Sequence, residues 1–283
     1  MHVFITGIGG FVASRLVRYL TARGERVSGT YIGARPAFPG VDLQEVDLLD
    51  RDALKRAVCA ASPDAIVNLA GLSHIGDSWT WAEAAAFPLA TLTAWRMLVS
   101  RAQLRAGETI LIWGIGGGVG LAAVQIARLL GARVVATSSS DAKLEVAQRL
   151  GAHITLNHSS ADVARDVRNL TGVGADVVLD SVGEKTWESS LKALRPMGRL
   201  VTCGATTGPH VSLDIRKLFW FQWTLLGSTM GNDREFREVV ALGERGLLRP
   251  VVDSVVPLAD GAAAFARLAE GRQLGKVVIE VNS

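Results

Sequence analysis

The sequence predicts an α/β protein built on a doubly wound parallel sheet, preceded by a partial second unit of the same kind. Three observations carry this. Strand and helix signals alternate along nearly the whole chain of 283 residues. The glycine-rich stretch "LIWGIGGGVGLAAVQIA" at 111–127 lies where a strand signal gives way to a helical one. "VFITGIGGFVASRLV" at 3–17 does nearly the same. Alternating β and α signals at short spacing favour a parallel sheet, because each crossover needs a helix to return the chain.

In the first 80 residues "HVFIT" reads as a buried strand, and Val12, Leu16 and Leu20 follow at helical spacing. Strands "RVSGTYI" and "VDLQEVD", a helix from about Asp50 to Ala61 and strand "AIVNLAG" complete this unit. From Ala82 to about Ser100 the chain reads helical, with Pro88 expected to break or kink it. A second series opens at "TILIW". Strands "RVVAT", "HITL", "ADVVLD", "GRLVTCG" and "TLLGST" follow, interleaved with helices at 141–150, 160–169 and 185–194. A helix after Asn232, strand "VVDSVVPL", a helix from about Ala259 to Glu270 and strand "KVVIEV" end the chain. The expected domains are 1–80 and 81–283.

Composition narrows the function classes. Hydrophobic residues make up 49% and charged residues 20%, ordinary for a soluble globular chain. The net charge of +3 comes from 30 basic and 27 acidic residues without a basic run, so nucleic acid is not the expected partner. Cys59 and Cys203 are the only cysteines and form no CxxC, which excludes a disulfide framework and a structural zinc site. The N-terminus "MHVFITG" lacks a charged n-region and a cleavage signal, so a cytoplasmic location is expected. Residues 109–127 carry no charge, but Gly114, Gly116, Gly117, Gly118 and Gly120 would break a spanning helix, and no membrane span is expected.

Gly7 and Gly10 of the first loop can bring the backbone close to a pyrophosphate at a helix N-terminus, or make a tight strand-to-helix turn. With "VDLLD" at 46–50, "NLAG" at 68–71 and "SHIGDSW" at 73–79, the opening resembles extended short-chain dehydrogenases/reductases of the nucleotide-sugar dehydratase/epimerase type. That resemblance implies an adenine contact for Asp47. It stops after about 80 residues. The family's Tyr-x-x-x-Lys pair has no counterpart, since Tyr19 and Tyr31 are followed four residues later by Arg23 and Arg35.

The second loop, Gly114, Gly116, Gly117, Gly118 and Val119, opens a helix whose buried stripe is Val119, Ala122, Ala123, Ile126, Ala127 and Leu130. Enough elements follow to complete both halves of a dinucleotide (Rossmann) fold. The second strand of an NAD site usually ends near an Asp or Glu for the ribose; here Thr137, Ser138 and Ser139 stand there, with Lys143 one turn on. Hydroxyls and a cation suit a 2′-phosphate, so NADP is expected over NAD. The plainer alternative makes Ser140 a helix N-cap and leaves Lys143 in solvent.

"PLATLTAWRML" at 88–98, "AGETILIWGIGGGVG" at 106–120, "ATSSSDAKLEVAQRLGA" at 136–152, "GADVVLDSVG" at 174–183, "GRLVTCGATTG" at 198–208 and "LLGSTMG" at 225–231 resemble the cofactor domain of medium-chain dehydrogenases/reductases. This is the zinc-binding alcohol dehydrogenase and quinone oxidoreductase group. The resemblance places Thr93 near the nicotinamide, Cys203 to Thr207, including Thr206, along its far side, and Asp180 to Gly183 at the cleft. It implies no metal here, because Leu89 stands where zinc-using relatives have Cys, and His74, His153, His158 and His210 are scattered. It assigns no catalytic residue.

The expected function is an NADP-dependent oxidoreductase of the zinc-free quinone or enone reductase type, acting on a small-molecule substrate. A nucleotide-binding fusion protein without turnover is the alternative, and a nucleotide-sugar enzyme is the third reading. In the medium-chain family the terminal strands pair with a preceding β-rich domain; this sequence replaces that domain, so "VVDSVVPL" and "KVVIEV" must find new partners or stay in water. The apolar stretch "FWFQWTLLGSTM" at 219–230 is either a dimer edge or a buried final strand.

Overall fold

The computed structural model describes residues 1–47, 50–68 and 79–280. The chain divides into two compact units, Met1–His74 and Ile75–Ser283. In the first unit, β1 (His2–Thr6), β2 (Arg26–Tyr31), β3 (Asp42–Glu45) and β4 (Ala65–Asn68) form a parallel sheet in the order β3-β2-β1-β4. Successive side chains of β1 point to opposite faces. Val3 and Ile5 therefore pack with Val17 and Leu20 of helix α1 (Phe11–Ala22). Phe4 packs with Ala57 of helix α2 (Arg51–Ala61), whose first turn is capped by Asp50.

The second unit begins with α3 (Trp81–Ala86), held by a capping box between Thr80 and Glu83. Pro88 ends it and occupies the first turn of α4 (Pro88–Trp95), where a missing N–H costs nothing. A π-helical turn, Arg96–Arg101, continues α4. The expected single helix from 82 to 100 is thus broken at the proline.

Next come β5 (Thr109–Ile112), α5 (Gly118–Leu129), β6 (Arg133–Ser138), α6 (Asp141–Leu150), β7 (Ile154–Asn157) and α7 (Val163–Thr171). β8 (Ala175–Asp180), α8 (Glu184–Ala193), β9 (Leu194–Thr202), α9 (Ile215–Trp220) and β10 (Thr224–Gly227) follow. The six strands are parallel in the order β10-β9-β8-β5-β6-β7, the doubly wound arrangement. Ile110, Leu111 and Ile112 of the central strand are fully buried, and alternate residues feed the two core layers. α7 begins three residues later than expected because Asp162, accepting from Arg165 N–H, caps it. The short helix α9 was not foreseen; Asp214 caps it in the same way.

α10 (Asp233–Glu244) starts after Asn232, in a capping box with Glu235. β11 (Val252–Pro257), α11 (Gly261–Ala269) and β12 (Lys276–Glu280) end the described chain. A 3₁₀ turn at Leu258–Asp260 takes the start of the helix expected from Ala259. β11 and β12 pair with each other in parallel, and α3 packs against both. The two strands expected to lose their usual partners supply each other's ladder, because α11 carries the chain back beside its starting strand. Among the described residues no helix is long and apolar enough to cross a membrane.

Candidate functional site

In a doubly wound sheet the crevice opens where the strand order reverses, at the carboxyl ends. Here that point lies between β5 and β8. The loop leaving β5 is fixed to both neighbours: Trp113 N–H donates to Leu179 O at 3.1 Å and Ile115 N–H to Thr137 O at 3.1 Å. Gly114 turns the chain at φ +65°, a region that favours glycine. At Gly120 a Cβ would sit 2.8 Å from Ile115 Cα and 3.0 Å from Gly114 O, so α5 packs directly on its own loop. Gly117, the N-cap of α5, has open space where a Cβ would be. The first amides of α5 have no acceptor within the helix, and no acidic residue stands in its first turn. The loop thus offers the geometry and the field an anion needs.

Two lysines flank it. Lys143 Nζ would lie 3.0 Å from a Cβ on Gly116, and Lys276 Cδ 2.8 Å from a Cβ on Gly118, beside Ala90 Cβ at 3.0 Å. Sequence reasoning found Lys143 and missed Lys276. The turn before β12 brings Lys276 there: Gly275 N–H donates to Gly116 O at 2.8 Å, and Gly275 forms a parallel bridge with Gly117. Asp253 holds this turn, accepting from Leu274 N–H at 2.8 Å and from Arg267 through Nε at 2.6 Å and Nη2 at 3.0 Å. The Arg267 hydrogen bond, against the opposing effect of burial, brings the Asp253 pKa down to about 2. The local signal was the spacing "GRQLGK", two glycines just before a strand that opens on a lysine.

Lys143 is half-buried and Nζ donates to Gly271 O at 2.6 Å; burial lowers its pKa, partly opposed by the Asp253 charge. Ser138 is buried, its Oγ accepting from Ser140 N–H at 3.2 Å, and Ser139 is exposed. Ser140 stands at the N-cap of α6 with no side-chain capping bond. Thr137 Oγ1 is buried with no partner among the described residues. Thr93 is buried and its hydroxyl donates back to Leu89 O at 2.7 Å. Val119 is half-buried against the core. Thr206 is exposed, its hydroxyl 3.4 Å from Val182 O.

Asp180 is fully buried, and its carboxylate is consumed at the β8–α8 turn. It accepts from Val182 N–H at 2.9 Å, Gly183 N–H at 3.0 Å, Thr186 Oγ1 at 2.8 Å and Ser190 Oγ at 2.6 Å. It shapes the cleft wall by holding this turn. Cys203 is half-buried; burial, then the Asp180 charge, pushes its thiol pKa up, opposite to what an attacking thiolate requires.

In the first unit, Gly7 has φ +66° and Gly10 N–H donates to Gly7 O at 2.9 Å, giving a similar strand-to-helix turn on a four-stranded sheet. Asp47 is exposed. Residues 69–78, with most of the "NLAG" and "SHIGDSW" motifs, lie outside the described residues, as do 48 and 49. Among the described residues no group of three or more His, Cys, Asp or Glu could hold a metal ion.

Residues 118–245 match the family model described as zinc-binding dehydrogenase, and residues 3–98 match the NAD dependent epimerase/dehydratase family. A quinone oxidoreductase of Pseudomonas aeruginosa is 37% identical over 218 residues, covering 74% of this chain and 67% of that protein. A solved NAD-dependent alcohol dehydrogenase is 41% identical with a TM-score of 0.69, over 72% of this chain and 60% of the other. The 2-octenoyl-CoA carboxylase reductase CinF, solved with NADP and 2-octenoyl-CoA, is 35% identical with a TM-score of 0.66, over 72% and 50%. The chain therefore spans one half to two thirds of these proteins' lengths, and only a tenth of a matching polyketide synthase protein of Streptomyces orinoci. With this identity and coverage, and the doubly wound sheet beneath them, the chain belongs to the zinc-binding dehydrogenase family of medium-chain dehydrogenases/reductases.

Proposed function

We propose that the chain is an NADP-dependent oxidoreductase of the zinc-free quinone or enone reductase type, with residues 1–80 and 81–283 as its two domains. The observation that carries this is the glycine loop at the switch point, free of side chains at Gly117, with Lys143 lying along Gly116 and Lys276 along Gly118. The quinone oxidoreductase likeness and the NADP and 2-octenoyl-CoA held by CinF support the cofactor and the electron-poor acceptor. Bound NADPH would supply the hydride. Residues Gly114 to Val119 would take its pyrophosphate against the first turn of α5, and Lys276 would add charge beside Gly118. Ser138, Ser139 and Lys143 would select the 2′-phosphate, with Lys143 leaving Gly271 O to do so. Thr93, Asp180, Cys203 and Thr206 would border the nicotinamide. The substrate is a small molecule, and the location is cytoplasmic.

Titration of the full chain with NADPH, followed by fluorescence, should give about one site. The double variant Ser138→Ala with Lys143→Ala should weaken NADPH at least tenfold and leave NADH unchanged, since charge-assisted contacts are worth about 1.5–3 kcal/mol each. Equal affinity of the native chain for NADH and NADPH would sink the choice of NADP. A screen of quinones and enones should show turnover. Binding of NADPH with background turnover would instead select the catalytically incomplete fusion, which the separate family match of residues 3–98 favours.

A homodimer through residues 219–230 belongs to the same proposal. Phe219 and Trp220 are 66% and 76% exposed, beside β10 at the sheet edge. Light scattering should give twice 30.0 kDa, and Trp220→Arg should give the monomer. A native monomer at micromolar concentration would contradict it.

A further inference from the structure

An open surface groove of about 240 Å³ lies at the carboxyl end of β10, lined by Arg96, Arg101, Gly227, Ser228 and Thr229. Nothing in the dinucleotide site uses it. Both arginines come from the π-helical turn that continues α4. Arg96 is anchored by one arm, Nη1 donating to the buried carboxylate of Glu235 at 2.8 Å. Glu235 also accepts from Ser100 Oγ and from Asn232 N–H, so its charge is spent on positioning Arg96 and α10. Arg101 is anchored through Nε, which donates to Gly227 O at 2.8 Å. Among the described residues Arg101 has no carboxylate partner. Each guanidinium is thus fixed by one donor and keeps others for a ligand.

The floor of the groove asks for that ligand. Ser228 Oγ is buried and has no hydrogen-bond partner among the described residues. A buried hydroxyl left unpaired costs free energy, and such groups in native proteins are nearly always satisfied. Ser228 N–H donates to Thr202 O, toward β9. Successive residues of a strand turn their backbone groups to opposite sides, so Gly227 O faces away from the sheet and Arg101 caps it.

We infer that the groove binds an oxyanion, a phosphate or carboxylate group of a small molecule, between the guanidinium groups of Arg96 and Arg101 and the hydroxyls of Ser228 and Thr229. Planar, anchored guanidinium forks are suited to two-pronged recognition of such groups. The volume fits a single anionic group, being smaller than the pockets that enclose whole drug-sized ligands.

Calorimetric titration of the full chain with inorganic phosphate and with acetate, at constant ionic strength set by chloride, tests this. Saturable binding of at least one of the two is expected and names the preferred group. Arg101→Gln should weaken that binding at least tenfold, Ser228→Ala should weaken it measurably, and Lys143→Ala, at the glycine loop, should leave it unchanged. Absence of saturable binding for both anions would overturn the inference. So would a loss that follows Lys143→Ala instead of Arg101→Gln, which would place the ion at the dinucleotide loop.

Discussion

Asp180→Ala is expected to remove about 3–5 kcal/mol from the stability of the second unit, the range for breaking a buried, fully hydrogen-bonded charge. The carboxylate is wholly buried and takes two backbone N–H groups and two hydroxyls at the turn from β8 into α8. Alanine takes the acceptor from the Val182 and Gly183 N–H groups and from Ser190 Oγ, and leaves Thr186 Oγ1 only Gly183 O at 3.2 Å. Gly183 sits at φ +93°, and a Cβ there would lie 2.7 Å from Gly208 O, so the turn has little room to find another arrangement. Asp180→Asn keeps an acceptor oxygen and should cost less, about 1–2 kcal/mol, because the amide must present an N–H to groups that can turn their hydrogens only in part. Urea unfolding of the three proteins measures the series. A loss below about 1 kcal/mol for alanine would show that Asp180 is not the anchor of this turn.

The second large effect depends on pH. Asp253 has its pKa lowered from 3.8 to about 2 in the folded chain, by Arg267 first and then, against burial, by Leu274 N–H and Ser254. A depressed carboxyl pKa contributes stability that is fully present above the unfolded value and lost as pH falls through the folded one. The window is therefore between about 4 and 2, and the contribution is about 2 kcal/mol. The carboxyl side chain is only 6% exposed, so solvent screening removes little of it. Asp253→Asn should lose that stability at pH 7, and the difference from the native chain should shrink below pH 4. A difference that stays constant from pH 6 to pH 2 would contradict the assignment. The same variant should loosen the turn that carries Gly275 and Lys276 onto the glycine loop, visible as faster amide exchange at Gly275, whose N–H donates to Gly116 O.

Much of the fold was legible in advance for a local reason. Alternation of apolar residues and the glycines that end a strand encode requirements met within a few residues. β5 to β8 and β10 appear where the sequence put them, β9 opens four residues early at Leu194 instead of Gly198, and Pro88 breaks the helix that it was expected to disturb. Gly114 needed no tertiary information, since its positive φ follows from the tight strand-to-helix turn. Helix starts were less legible: the caps of α7 and α9, Asp162 and Asp214, lie among several polar residues that could have served.

The site was legible in part. Gly114 to Gly118 and Lys143 could be named in advance as candidates because they lie within or just after the loop. Lys276 could not, because its approach to Gly118 depends on Asp253, Arg267 and Gly275 acting together over more than 20 residues of chain. Asp180 was read as a cleft residue from its position, whereas its hydrogen bonds show what it holds.

The sequence by itself determined the parallel α/β architecture, the two strand-to-helix glycine turns, and the family to which the later turn belongs. The architecture and the turns rest on side-chain periodicity and backbone sterics, which a chain carries locally, and the family rests on the resemblance of its motifs to those of medium-chain dehydrogenases/reductases. Tertiary structure alone decided that β11 pairs with β12, that the turn before β12 lies on the glycine loop with Lys143 bonded to Gly271, and that Arg96 and Arg101 meet Ser228 at the end of β10. These contacts join groups far apart in sequence. No local pattern specifies them, and they form only once the hydrophobic layers have fixed which strand ends lie side by side.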